Sequence, residues 1–238
     1  MKKVILFDLG NTLIQYYERS EFPEILRQAI NEVHTFLNSQ NLCNITTQEI
    51  WQKVKDEDYE AKDYSVRPLE GRLSRIFGID IPSEEVLMTM CRCFVKPIFN
   101  MAQIYEDTLP TLAILKANNY KVGIISNTAW GSPSALWKEE LKRFGIDRYV
   151  DADAYCRDIG WRKPSERIFE FALKKIDATP EQCLFVGDDP RWDIAGPKAV
   201  GIDAILIDRK NTHQNSDFVK ISNLNELLIL ITGKAKSY

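Results

Sequence analysis

No apolar run in this 238-residue chain approaches the roughly 18 residues that cross a bilayer, so no membrane-spanning helix is expected. The opening VILF is too short for the apolar core of a signal peptide and lacks a small-residue cleavage site, which makes the cytoplasm the expected compartment. Basic charge is not in surplus. The 31 Lys and Arg face 34 Asp and Glu, for a net charge of −3, so the electrostatic footprint of a nucleic-acid binder is missing. A small anion stays open as a ligand, because it needs a local cluster of donors and no excess over the whole chain. Histidine is scarce: neither His34 nor His213 has a metal-ligand partner at useful spacing, and both are expected at the surface. The five cysteines, Cys43, Cys91, Cys93, Cys156 and Cys183, are odd in number and show no repeated paired spacing. They read as reduced thiols, not as a disulfide framework or a zinc site. Internal repeats and low-complexity linkers are also lacking.

What remains is an ordinary globular composition, 45% hydrophobic and 27% charged, long enough for one large domain or two modest ones. Apolar runs of strand length recur at 4–7, in KVGIIS at 121–126, in CLFVGD at 183–188 and in AILID at 204–208. Between them lie stretches with helical spacing, such as Leu109, Leu112, Ile114 and Leu115, then Ile168, Phe169, Ala172 and Ile176 with Pro164 near the first turn. Continuous apolar strands alternating with helices predict an α/β, doubly wound parallel-sheet (Rossmann-like) core. Ligands of such sheets bind beyond the carboxyl ends of the strands. Three of those ends carry polar groups: Asp8, Ser126, and the pair Asp188 and Asp189. Residues 16–99 read differently, rich in charge and amide, with helical spacing in Ile25, Ala29, Ile30, Val33 and Leu37 and again in Val86, Met90, Cys93 and Phe94. They are expected to form a small helical unit inserted into a core of residues 1–15 and 100–238. The tail ISNLNELLILITG offers Ser222 or Asn223 as the cap of a closing helix.

Asp8 in FDLGNTL, Ser126 in GIISNT, Lys163 in GWRKPS, and Asp188 with Asp193 in VGDDPRWDIAG follow one another in a telling order. That order and spacing resembles the haloacid dehalogenase-like hydrolase superfamily over essentially the whole chain, with VGDDPRWDIAGPKAVGID the most specific piece. The inserted helices are similar to the cap of its first subfamily. The resemblance implies a Mg2+-dependent phosphatase of a small phosphorylated metabolite, with Asp8 as the nucleophile that forms an aspartyl-phosphate. It further implies Asp8, the Gly10 backbone carbonyl and Asp188 as metal ligands, supported by Asp189 or Asp193. Ser126 and the Asn127 N–H would hold the phosphoryl oxygens, and Lys163 would neutralise charge around them.

One expected acid is missing. Phosphatases of the family normally carry a second aspartate two residues after the nucleophile, where this chain has Gly10. A backbone carbonyl still serves the metal there, but the proton shuttle is lost, and such acid–base catalysis is worth about 10²–10⁴-fold. Three readings follow. Water or another acid, such as Glu18, replaces the shuttle; or the chain is a 2-haloacid dehalogenase-type hydrolase, whose halide leaving group needs no proton; or the fold is kept for binding with weak catalysis. The adjacent acids Asp188 and Asp189 favour phosphoryl chemistry, since they would repel a haloacid carboxylate.

Other candidates are weaker. Cys156 to Arg162, CRDIGWR, has the spacing of a thiol phosphatase loop, but Tyr155 precedes it and it holds a single glycine. Arg67 and Arg72, in YSVRPLEGR, are candidates to reach a substrate anion. Trp130 is a candidate to line the pocket and Trp192 to shape the metal loop.

Overall fold

The computed structural model describes residues 2–80, 82–213 and 217–232. In chain order, β1 (Val4–Phe7) and the short β2 (Ile14–Gln15) lead into four helices, α1 (Phe22–Ser39), α2 (Thr47–Glu57), α3 (Leu69–Phe77) and α4 (Glu84–Met101). The chain returns through β3 (Gln103–Ile104), which pairs antiparallel with β2. Then come α5 (Thr108–Ala117), β4 (Lys121–Ser126), α6 (Ser134–Arg143), β5 (Ala152–Tyr155), the short α7 (Cys156–Ile159), α8 (Glu166–Ile176) and β6 (Cys183–Gly187). A π-helical turn over Pro190–Ala195 runs into α9 (Gly196–Ala199), followed by β7 (Asp203–Ile207), β8 (Lys220–Ile221) and α10 (Leu224–Thr232).

Among the described residues the main sheet has six strands, all parallel, in the order β5-β4-β1-β6-β7-β8. The four apolar runs are its β4, β1, β6 and β7. Both faces are covered, which is why the buried stretches of those strands are almost wholly apolar, with Lys121 and Asp203 exposed at the starts of β4 and β7. In β1 the alternation sends Ile5 and Phe7 into one buried cluster, with Leu112 and Leu115 of α5 and Leu224 and Leu227 of α10. Val4 and Leu6 face the other cluster, with Ile168, Phe169 and Ala172 of α8. The result is the doubly wound, Rossmann-like α/β sheet, carrying a helical cap. Within the cap, α1 packs along α4, burying Ile25, Ala29, Ile30 and Val33 on one side and Met90, Phe94 and Ile98 on the other. At the far end of the chain Asn223 caps α10, its Oδ1 accepting from the N–H groups of Asn225 and Glu226 at 3.0 and 3.2 Å. The last six residues assigned to the core, 233–238, lie outside the described residues.

The chain builds outward from β1 to β4 and β5, then returns to β1's other flank with β6. That reversal makes a crevice beyond the carboxyl ends of β1, β4 and β6, where Asp8, Ser126 and Asp188 follow or end their strands.

Candidate active site

Asp8 extends the β1–β6 ladder by one step, its N–H donating to the Val186 carbonyl at 2.9 Å, so that its carboxylate emerges at the crevice. The chain then coils tightly. The Leu9 carbonyl accepts from both Leu13 and Ile14 N–H at 3.0 Å, and Asn11 sits at φ 54°, a left-handed position that asparagine tolerates. The Asn11 side chain pins the turn, accepting from the Tyr16 N–H and donating to the Tyr17 carbonyl, both at 3.2 Å. Arg209, just after β7, braces the turn from outside by donating to the Thr12 carbonyl at 2.8 Å while paired with Asp107 at 3.0 Å. Gly10 lies inside this turn with no left-handed φ. A Cβ there would meet only the Tyr16 ring, at 3.5 and 4.0 Å, which is ordinary contact. Neither the backbone nor the space beside it demands glycine at position 10.

Lys163 is carried in from the segment before α8 and held by Asn127, at the tip of β4. The Lys163 N–H donates to Asn127 Oδ1 at 2.8 Å, and Asn127 Nδ2 donates to the Lys163 carbonyl at 3.4 Å. The lysine is 1% exposed, and its Nζ donates to Asp8 Oδ1 and to Asp193 Oδ1, both at 2.6 Å. Burial alone would lower its pKa; the two carboxylates outweigh that and hold it above its ordinary value. Ser126 is buried beside it, its hydroxyl making only a long contact of 3.4 Å with the Asn127 carbonyl.

The acids after β6 separate into different jobs. Asp189 caps the π-helical turn, its Oδ1 accepting from the N–H groups of Arg191 and Trp192 at 2.8 and 3.1 Å. Asp193 swings back to the site, its Oδ2 accepting from the Asp189 N–H at 3.1 Å. This approach depends on Gly187, where a Cβ would lie 2.4 Å from the Asp193 Cβ and Cγ. One carboxylate oxygen each from Asp8, Asp188 and Asp193 lies within 4.8 Å of the others. Burial, first of all, raises the pKa of both Asp188 and Asp193, and the neighbouring carboxylates add to it. Three acids therefore share a single ammonium. At an effective dielectric near 20, two unit charges at that spacing repel by about 3–4 kcal/mol. The donor set is all oxygen and short of positive charge, which fits a hard divalent cation.

The cleft above this floor has a volume of about 580 Å³, and its opposite wall comes from the cap through Asp58, Tyr59, Glu60, Arg67 and Arg72. Sequence reasoning did not single out Asp58, Tyr59, Glu60 or Tyr16, and named Arg162 only as the end of the thiol-loop spacing, because their approach is made by tertiary contacts. Arg162, next to the lysine motif, pairs with Glu60 of the cap at 2.6 Å. Glu18 does not line the cleft; it is ion-paired with Lys210. Trp130 and Trp192 do line it. The Cys156 thiol is buried, accepts the Thr128 N–H at 3.1 Å, and has its pKa pushed up chiefly by burial, the reverse of what a thiolate nucleophile needs. His34 is half-buried over the Phe77 ring.

Against known proteins, the family model for haloacid dehalogenase-like hydrolases matches residues 2–201. A glyceraldehyde 3-phosphate phosphatase of Methanothermobacter thermautotrophicus is 29% identical over 229 residues, spanning 96% of both chains. Two solved structures share the fold: a HAD phosphatase from Thermococcus onnurineus (TM-score 0.66, 24% identity, 99% of this chain and 100% of that one) and a 2-haloacid dehalogenase from Pseudomonas syringae (TM-score 0.69, 23% identity, 98% and 99%).

Proposed function

The chain belongs to the haloacid dehalogenase-like hydrolase family, and from that premise we propose that it is a Mg2+-dependent phosphatase of a small phosphorylated substrate, with Asp8 as nucleophile. The observation that carries the reading is the buried Lys163 ammonium bridging Asp8 and Asp193 on the floor of the cleft. The full-length phosphatase relative supports phosphoryl chemistry over carbon–halogen chemistry. So does the excess of carboxylates, which would repel a haloacid anion unless a cation were bound.

Lys163 engages Asp8 Oδ1, leaving Oδ2 to attack phosphorus. The new O–P bond forms as the bond to the ester oxygen breaks, and that oxygen departs with the electron pair and takes a proton from solvent. Water then attacks the aspartyl-phosphate phosphorus, loses a proton, and releases inorganic phosphate and the Asp8 carboxylate. Ser126 and the Asn127 N–H orient the phosphoryl oxygens, and Lys163 neutralises the charge that builds on them. Asp8, Asp188 and the Gly10 carbonyl, with Asp193 in support, would hold Mg2+, which when bound would supply charge neutralisation at the nucleophile. Asp189 serves the turn and not the metal. Residues 16–99 act as the cap over a core of 1–15 and 100–238, excluding water when the cleft is closed.

With glycine at position 10 and Glu18 turned away to Lys210, no side chain in this scheme protonates the leaving group. Aryl and acyl phosphates should therefore turn over far better than sugar or alkyl phosphates, with a burst before a slow steady state. Five free thiols, with no helix among the described residues long and apolar enough to cross a membrane, support a cytoplasmic setting. The deciding experiment assays a panel of phosphate esters and 2-haloacids with and without Mg2+, on the parent and Asp8→Asn. Metal-dependent phosphate release lost in the variant supports the proposal. Metal-independent halide release points to the dehalogenase, and silence in both assays to a binding protein.

A further inference from the structure

The floor of the cleft carries surplus negative charge, and its helical wall contributes Arg67 and Arg72. Glu57, at the end of α2, is the acid around which Arg67, Arg72 and Arg75 gather. Arg75 approaches it at 2.6 Å from a largely exposed position, and Arg67 is ion-paired with it. Arg72 is left over: its Nε stands 3.8 Å from the carboxylate, beyond a hydrogen bond.

Arg72 is also the most enclosed of the three. It is 5% exposed, lines the cleft, and its Nε finds no hydrogen-bond partner among the described residues. Its other nitrogens donate to the neutral carbonyls of Glu57 and, at 3.3 Å, Trp130, while the guanidinium lies 3.6 Å above the Trp130 ring. None of these partners carries a full negative charge. Burial, then Arg67, pushes its pKa down to about 9. Arg67, beside it on the wall, lies 3.9 Å over the Tyr59 ring. Asp58 also lines this wall but is exposed, where water screens it. Two planar guanidiniums lining one wall of a cleft, sharing one carboxylate with a third arginine, match a carboxylate or phosphate oxygen.

We propose that Arg67 and Arg72 form a second oxyanion subsite on the helical wall, so that the preferred substrates are phosphate esters bearing another anionic group. The subsite rests on the phosphatase reading, since the first phosphoryl group is taken to sit at Asp8. Aryl esters suit the test because they need no proton shuttle. Phenyl phosphate is compared with 4-carboxyphenyl phosphate and with 1,4-phenylene bisphosphate, on the full chain with Mg2+. The second anion should lower KM about ten- to hundredfold, the worth of one charge-assisted hydrogen bond, and the two anionic esters show whether carboxylate or phosphate is favoured. Arg72→Lys, Arg72→Gln and Arg67→Gln should each shrink the KM gap within a pair. Calorimetric affinities on Asp8→Asn are read in parallel. An anion preference in binding with no phosphate released from any ester would sink the phosphatase reading and leave the subsite standing. Equal KM and equal affinity across the pairs, or a gap unchanged in every arginine variant, would overturn the subsite.

Discussion

Replacing Gly10 with aspartate should restore the step this chain lacks. The structure permits it: position 10 has no left-handed φ, and a new Cβ would make only ordinary contacts of 3.5 and 4.0 Å with the Tyr16 ring. The new carboxylate joins Asp8, Asp188 and Asp193 around one ammonium, so the variant should need Mg2+ more than the parent does. A positioned acid contributes about 10²–10⁴-fold, or about 3–5 kcal/mol of barrier, but only where the leaving oxygen is basic enough to require a proton. Alkyl phosphates should therefore gain by that factor, whereas aryl phosphates with weakly basic leaving groups gain little in the first step. The second step should quicken for both, because the same carboxylate activates water against the aspartyl-phosphate. Rapid-quench kinetics on matched alkyl and aryl esters would read both changes, as a selective rise in the alkyl rate and loss of the burst. A folded, Mg2+-bound variant with no selective gain for alkyl esters would refute the reasoning that the glycine removed a proton carrier.

Gly187→Ala would drive a methyl group to 2.4 Å from the Asp193 Cβ, an atom too close to the backbone to swing aside. It should lose about 1–3 kcal/mol in thermal or denaturant unfolding and lose activity with it, whereas Gly10→Ala should remain near parental stability. The metal-free protein should become less stable as pH rises. Asp188 and Asp193 have folded-state pKa values above the ordinary 3.8, so the cost of ionising them is absent below that value and complete above the raised values. Lys163, held high, keeps its charge throughout this window, and added Mg2+ should flatten the slope in a thermal shift series. Iodoacetamide should leave activity intact in the native state, because the Cys156 thiol is buried and protonated; rapid inactivation would bring the thiol mechanism back.

The strands that carry the site were legible because both their faces are buried, leaving largely apolar runs within Val4–Phe7, Lys121–Ser126, Cys183–Gly187 and Asp203–Ile207. Strand β5 was not. Its sequence, ADAY, is an edge strand in which Asp153, ion-paired with Lys175, interrupts two alanines and Tyr155, so no unbroken apolar run marks it. Strand β8 is too short, at two residues, to leave a pattern. The lysine and the carboxylates were found through their motifs, but the separate tasks of Asp189 and Asp193 depend on a π-helical turn that spacing alone does not reveal. The cap's share of the cleft was the least readable. The gathering of three arginines on Glu57 arises where α3 and the segment before it pack on α2, and Glu60 meets Arg162 from far along the chain.

The central claim is that Asp8 becomes covalently phosphorylated, and the most direct measurement is to catch that bond. During turnover of an aryl phosphate with Mg2+, samples quenched into borohydride should contain homoserine at position 8, because the acyl phosphate is reduced where a free carboxylate is not. An unmodified Asp8 in every quenched sample, while phosphate release is proceeding and a burst has been recorded, would contradict the account.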